Sequence, residues 1–443
     1  MASRLSSFFV VASIVPFTLF GCSSDPAPVA ADAAADTPAD VAPLDVAVDT
    51  PAADTPAPDV APDVVPDAPR DAAADVSPDA PAPACNRTRA LITTSNFTRG
   101  GYAIGPFAPP SLMVPMAASP DQDHLPVESG CLVFTLLRGD DTLAVLDPSN
   151  LPAILRRVPL RPSGVDGGMY GANPYDVEVV SPTRAYVTQY ALSRIAIVDP
   201  SRDGAAAVTG SIDLAPVRAM ADTDASGAPE AAELLRVGDR VFAVMQNLAA
   251  FAPVAPGSLA VIDAAAGTLI DADPMTAGTQ PVVLTQRNPV GAVATAGGRI
   301  VLAGAGTQPF MPPNVLDGAI EAIDAATLRP VGMRVTEMAL GGDLQGLVML
   351  DENRGWALTF RFVMGGGREA RVVAFDLSTG MAGATIFTTG DIGGMAKDPT
   401  GNVWVLDRTM ATPGARVFRP DGTQLTTAPL ATGLPPYGVA FVP

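Results

Sequence analysis

The sequence predicts an all-β fold, a seven-bladed β-propeller behind a disordered N-terminal stalk, on three observations. One phrase recurs, a short alternating β run closed by aspartate and a turn: DTLAVLDPSN, SRIAIVDPSR, GSLAVIDAAAG, GAIEAIDAATL and ARVVAFDLSTG. Its aspartates, Asp147, Asp199, Asp263, Asp324 and Asp376, stand 52, 64, 61 and 52 residues apart, and a degenerate copy, ARVFRPDGT, follows. Four short strands repeated about every 50 residues, with turn residues between them, are the mark of propeller blades. Last, residues 25–84 are built from Asp, Pro, Ala and Val without one aromatic, a composition that buries no core.

In chain order, residues 1–22, MASRLSSFFVVASIVPFTLFGC, read as a targeting segment. Arg4 supplies the positive charge, and the apolar run from Leu5 to Phe20 is broken by Ser13 and Pro16, too short for a spanning helix. It ends in LFGCSS, with Gly21 directly before Cys22, which resembles a bacterial lipobox. The resemblance implies that residues 1–21 are removed as a signal peptide and that acylated Cys22 holds the chain to a membrane. Ser23 after the cysteine resembles the outer-membrane sorting pattern of Gram-negative lipoproteins. The alternative is an ordinary secretory signal.

Residues 22–84 then form the lipidated cysteine and its stalk. Thirteen Asp against Arg70 alone give residues 25–84 a charge of −12 out of the chain's −19. About 60 residues of flexible coil span roughly 45 Å, and a polyproline-like chain reaches well over ~100 Å. Residues 85–443 keep −8, which argues against nucleic acid as a partner. A monomer is expected.

The folded domain, 85–443, opens at Cys85. With Cys131 it is expected to form a disulfide, as paired cysteines of exported proteins do, the alternative being two separately buried thiols. Before each aspartate phrase sits a second strand, as in RAYVTQYA, RVFAVMQN, GRIVLAGAG, RGWALTFRF and GNVWVLDR. Before that sits an inner strand, whose aligned starts are Asp123, Asn173, Ala228, Asn288, Asp343, Asp391 and Leu434. The seventh, LPPYGVAF, has nothing after it, while RALITTSNF at the front of the domain lacks an inner partner. The last strand is therefore expected to complete the first blade and close the ring, leaving no free sheet edge.

The unit NPYDVEVVSPTRAYVTQYALSRIAIVDPSRDG resembles the repeat of YVTN or YncE-like β-propellers, most clearly at Tyr186, Val187 and Thr188. The resemblance spans residues 88–443 and implies an extracytoplasmic seven-bladed propeller. It implies little about activity, because the fold hosts binders, scaffolds and enzymes alike.

Composition excludes several chemistries. His124 is the only histidine, so a histidine-based zinc site lacks ligands and a serine nucleophile has one base to choose from, with no GxSxG elbow. Trp356 and Trp404 fall in second strands and read as packing residues rather than a platform for a quinone cofactor. VMGGGREA lacks the Lys-Ser/Thr ending of a phosphate loop and reads as a hairpin.

What remains is the ring at one mouth of the central channel. Asp123, His124, Asn173, Tyr175, Asn288, Asp343, Asp391 and Tyr437 are its candidate binding residues, suited to a cation, a sugar or a basic peptide group. The plainer alternative is that Asn and Asp there cap turns. DTDASGAPEAAE, residues 222–233, has the spacing of a calcium loop: Asp222, Asp224, Ser226 and Glu230 supply oxygen ligands for one structural Ca2+. Glu233 is set apart, because it aligns within an inner strand with Glu178 and Glu128. The expected function is a non-enzymatic, envelope-anchored lipoprotein whose propeller binds a protein or glycan. The alternative is a calcium-dependent hydrolase of the lactonase or esterase type. Lactonase-like propellers hold a channel calcium with Glu, Asn and Asp, and this mouth resembles them in residue types alone.

Overall fold

The computed structural model describes residues 85–443 apart from 114–116, 162–170, 220–226, 310 and 365–366, together with Leu5–Ser6, a two-residue strand paired with Val293 and Ala292. Seven antiparallel sheets follow one another along the chain, each built outward from an inner strand. The second blade shows the pattern: His124–Ser129, Leu132–Leu137, Thr142–Leu146 and Ile154–Pro159 pair in that order. Inner strands of later blades are Pro174–Ser181, Ala231–Val237, Pro289–Ala294, Asp343–Met349 and Ile392–Lys397. The first blade is closed by the C-terminus: Pro436–Val442 pairs with Arg89–Ser95, with Arg89 opposite Val442. Every inner strand touches the next, and the last touches the first, so the ring is complete.

Alternation along the strands sends apolar side chains to both faces of each sheet, and neighbouring blades share them. The core accordingly divides into seven apolar clusters, one at each interface. The largest joins the second and third blades through Leu125, Phe134, Tyr175 and Val187. Trp356 and Trp404 are buried in second strands, Trp404 donating through Nε1 to Asp398 Oδ2 at 3.1 Å. Both tryptophans pack between blades.

The repeated aspartate has a local cause. Oδ1 of Asp147, Asp199, Asp376 and Asp421 accepts from the N–H two residues on, at 2.8, 3.0, 2.7 and 2.8 Å, and Asp263 and Asp324 do the same at 2.9 and 3.1 Å. Each closes an Asx turn after the third strand. These turns lie on the face where inner strands end. Cys131 lies there too, in the turn after the second blade's inner strand, and is bonded to Cys85 with Cα atoms 5.3 Å apart. Arg87 pairs with Glu128 beside the disulfide. The chain thus enters the propeller on the face opposite the mouth.

Candidate functional site

Strand register defines the mouth more sharply than the sequence pattern does. In six blades the residue before the inner strand accepts, through its C=O, the N–H of the residue that follows the second strand or, at Ser95, ends it. The pairs are Asp123–Arg138, Asn173–Tyr190, Glu230–Gln246, Asn288–Ala305, Asp391–Arg408 and Pro435–Ser95, at 2.9, 3.1, 3.4, 2.9, 3.0 and 2.9 Å. Asp343 takes the same place in the sixth blade, one residue before the Leu344–Thr359 pair.

Two expected ring positions are thereby corrected: Glu230 replaces Ala228, and Pro435 replaces Leu434. Asn173, Glu230 and Asn288 share a left-handed backbone, φ 48°, 49° and 48°. Asparagine tolerates that conformation and glutamate rarely adopts it, which is why APEAAELL misaligned. Glu233 also moves. It falls level with Asp176, not with Glu178 and Glu128, because the inner strand begins at Ala231.

The side chains at these positions diverge. His124 is fully buried with its ring 5.0 Å from that of Tyr102 and Nε2 at 3.1 Å from the Gly101 carbonyl, so it does not line the channel. Burial pushes its pKa down to about 4, against the pull of the Gly101 carbonyl, and keeps it neutral. Glu230 turns its Oε2 toward the Leu248 N–H at 2.7 Å. Asp222, Asp224 and Ser226 lie outside the described residues. Among the described residues no three His, Cys, Asp or Glu side chains group closely enough to hold a metal.

What does converge is a belt of cations and aromatics under the mouth. Arg138 donates from Nε to Asn173 Oδ1 at 2.8 Å and from Nη1 to Asp123 Oδ1 at 3.0 Å and Tyr437 Oη at 3.4 Å. Its guanidinium lies 4.9 Å over the Tyr175 ring. Burial opposes that charge, but Asp123 and the surrounding tyrosines outweigh it and hold the Arg138 pKa above its usual value. Tyr175 stacks on Tyr190 at 5.3 Å, Tyr190 donates to Gln246 Oε1 at 2.6 Å, and Gln246 donates to the Pro289 carbonyl at 2.9 Å. The belt therefore crosses from the second blade to the fifth.

On its other side Tyr437 leads to Arg408, whose guanidinium lies 5.7 Å from both the Tyr437 and Phe97 rings. Arg408 is 9% exposed, and its Nε and Nη1 find no hydrogen-bond acceptor among the described residues. Its nearest carboxylate, Asp391 Oδ2, stays 3.7 Å away with a side chain that is 52% exposed. The belt reaches the seventh blade there and leaves the sixth uncovered. In that gap Asp343 is fully buried and neither carboxylate oxygen closes a hydrogen bond with a described residue. Burial pushes Asp343 up to about 6, although its own N–H and that of Val315 lie near enough to offset part of the shift.

Sequence reading missed Arg138, Tyr190, Gln246 and Arg408. Their shared signal is position: each is the first residue after a second strand, as in FTLLR, YVTQY, AVMQ and WVLDR. A separate cleft of about 500 Å³ on the rim between the first two blades is lined by Arg99, Ser119, Asp121, Gln122 and Asp140.

No family model and no curated protein matches the chain. Solved structures do. A Lactobacillus plantarum protein is similar at 13% identity over 81% of this chain and 100% of its own, with a TM-score of 0.54. A Bacteroides fragilis protein with a provisional 6-phosphogluconolactonase assignment is similar at 12% identity over 82% of this chain and 100% of its own, with a TM-score of 0.51. Kuenenia stuttgartiensis hydrazine synthase is similar at 13% identity over 66% of this chain and 74% of its own, with a TM-score of 0.47. At these identities the likeness is one of fold alone.

Proposed function

We propose that the propeller is a non-enzymatic binding module of the cell envelope, and that its mouth receives an acidic group of a glycan or protein partner. Arg408 carries this reading. A guanidinium left nine-tenths buried with two nitrogens lacking a hydrogen bond is costly, and a bidentate carboxylate is the group that best repairs it. The half-exposed Asp391 holds it loosely and can be exchanged for a ligand carboxylate. Phe97 and Tyr437 flank the charge with flat apolar surface, which suits a sugar face or a planar acid.

The entry of the chain on the opposite face supports the same reading. Cys85, with its disulfide to Cys131, lies on that face, so the propeller begins at the end opposite the mouth.

The test is calorimetry on the full chain with oligogalacturonate and with acidic peptides, at low and moderate salt. Arg408→Gln is expected to weaken binding at least ~10-fold, the scale of one lost charge-assisted interaction. Unchanged affinity in that variant, or no binding of any acidic probe, defeats the proposal. Turnover of lactones by the same preparation replaces it with the hydrolase reading.

A further inference from the structure

The sixth blade differs from the others at its mouth-side end. Its second and third strands, Arg354–Val363 and Gly367–Asp376, are ten residues each. The inner strand stops pairing at Asp343 opposite Phe360, while the hairpin continues through Arg361–Glu369, Phe362–Arg368 and Val363–Gly367. Three further residues at ~3.4 Å each raise it about 10 Å above the mouth. The neighbouring fifth-blade loop braces it. Asn314 Nδ2 donates to the Phe362 carbonyl at 3.2 Å and its Oδ1 accepts the Phe362 N–H at 2.8 Å, as a partner strand would.

This wall and the loops beside it carry exposed methionines. Met311, Met338, Met364 and Met410 are 74%, 75%, 102% and 78% exposed, on the fifth-blade loop, the link to the sixth blade, the hairpin tip and the seventh-blade loop. All four lie on the mouth face of three consecutive blades. Met113, Met275, Met333 and Met381 are exposed on other segments at 63%, 93%, 55% and 63%, so what sets this face apart is that its thioethers accompany guanidinium groups, and flexible thioethers suit surfaces that accept varied apolar side chains. Beside them Arg368 sits 4.5 Å over the Phe360 ring and, among the described residues, makes no ion pair. The adjacent Arg361 is already satisfied by Glu369 at 2.8 Å. Arg368, whose charge reaches the buried Asp343, and the loosely held Arg408 therefore put positive charge along the mouth face of a domain that is otherwise acidic.

We propose that the methionine-tipped wall and the mouth together dock an extended polypeptide segment bearing apolar side chains and at least one carboxylate. The carboxylate pairs with Arg368 or Arg408, and the apolar side chains lie on the methionines and Phe362. This rests on the mouth being a binding site and names its partner as polypeptide.

The experiment is selection of a random dodecapeptide library displayed on phage against the immobilised full chain, followed by fluorescence polarisation of the enriched peptides. Enrichment of Asp or Glu near Leu, Met or Phe is expected. Arg368→Gln and the pair Met338→Gln plus Met364→Gln are each expected to weaken the best peptide at least ~10-fold, one charge-assisted or apolar anchor's worth. All three positions are exposed, and unchanged thermal melts verify the fold. Peptides indifferent to both substitutions, or no enrichment, overturn the proposal. If oligogalacturonate still binds and depends on Arg408, the mouth stands as a glycan site and only the polypeptide docking fails.

Discussion

Glu337 and the turn aspartates are carboxylates with opposite fates. Glu337 is fully buried, accepts the Gly318 and Leu344 N–H groups at 2.8 and 2.6 Å, and is nevertheless pushed up to about 8 by burial, with Asp343 and Asp317 repelling its charge. Its folded pKa lies above its ordinary 4.5, so between those values the folded chain holds a proton that the unfolded chain releases. The stability this gives is full below about 4.5 and is lost as pH rises toward about 8. Asp343 acts in the same direction between 3.8 and about 6. Asp147, Asp199 and Asp376 are instead held below the usual range, first by the hydroxyls of Ser149, Ser201 and Ser378. What they contribute is present above the usual aspartate range and lost as pH falls through their depressed values, so the two windows are separate. Urea melts at pH 5, 6.5 and 8 are expected to show the wild-type midpoint falling with pH. Glu337→Gln should remove at least about half of that fall. An identical slope in the variant means that Glu337 is ionised throughout. The turn aspartates were legible because their period is local. Asp343 and Arg408 owe their character to burial by distant blades, which no single stretch of sequence records.

At the scale of the strand, the inner strands converge through glycine. A Cβ on Gly393 would meet the Pro436 carbonyl oxygen at 2.4 Å and Arg408 Cδ at 2.8 Å, and one on Gly438 would meet Pro126 Cδ at 2.7 Å. These are the approaches that bring the seventh, first and second blades together around the belt. Gly393→Ala is expected to destabilise the chain by ~1–3 kcal/mol, the usual result of overpacking, and to weaken acidic-probe binding through Arg408. Gly210→Ala, whose Cβ would meet only Ile197 Cδ1 at 3.6 Å, is the control. Equal melts for the two variants refute the packing account. Strand existence and order were readable from alternation and turn residues. Register was not: Pro229 imitates the Asn-Pro starts at Asn173 and Asn288, yet the left-handed residue is Glu230, one place later. Only pairing with Gln246 fixes it.

For the whole molecule the decisive contact is the one that shuts the ring. Among the described residues Arg89–Ser95 is the strand that pairs the closing strand Pro436–Val442 with the rest of the first blade, and it begins four residues after Cys85. Without a clamp, fraying at the entry of the domain would reach the strand on which closure depends. The Cys85–Cys131 bond anchors the entry point to the second blade instead, across a separation of 46 residues, and Arg87–Glu128 adds a second tie. A crosslink closing a loop of that length contributes ~2–4 kcal/mol, mainly by restricting the unfolded chain. Its local effect is separable from that general one. Hydrogen exchange on the full chain, oxidised and reduced, is expected to show Arg89–Ser95 and Pro436–Val442 losing protection first, while Ala231–Val237 and Pro289–Ala294 on the far side stay slow under native conditions. Uniform acceleration around the ring would mean that the bond acts only on the unfolded chain. No acceleration at the first blade would mean that closure is held by the Arg89–Ser95 ladder and its apolar packing alone.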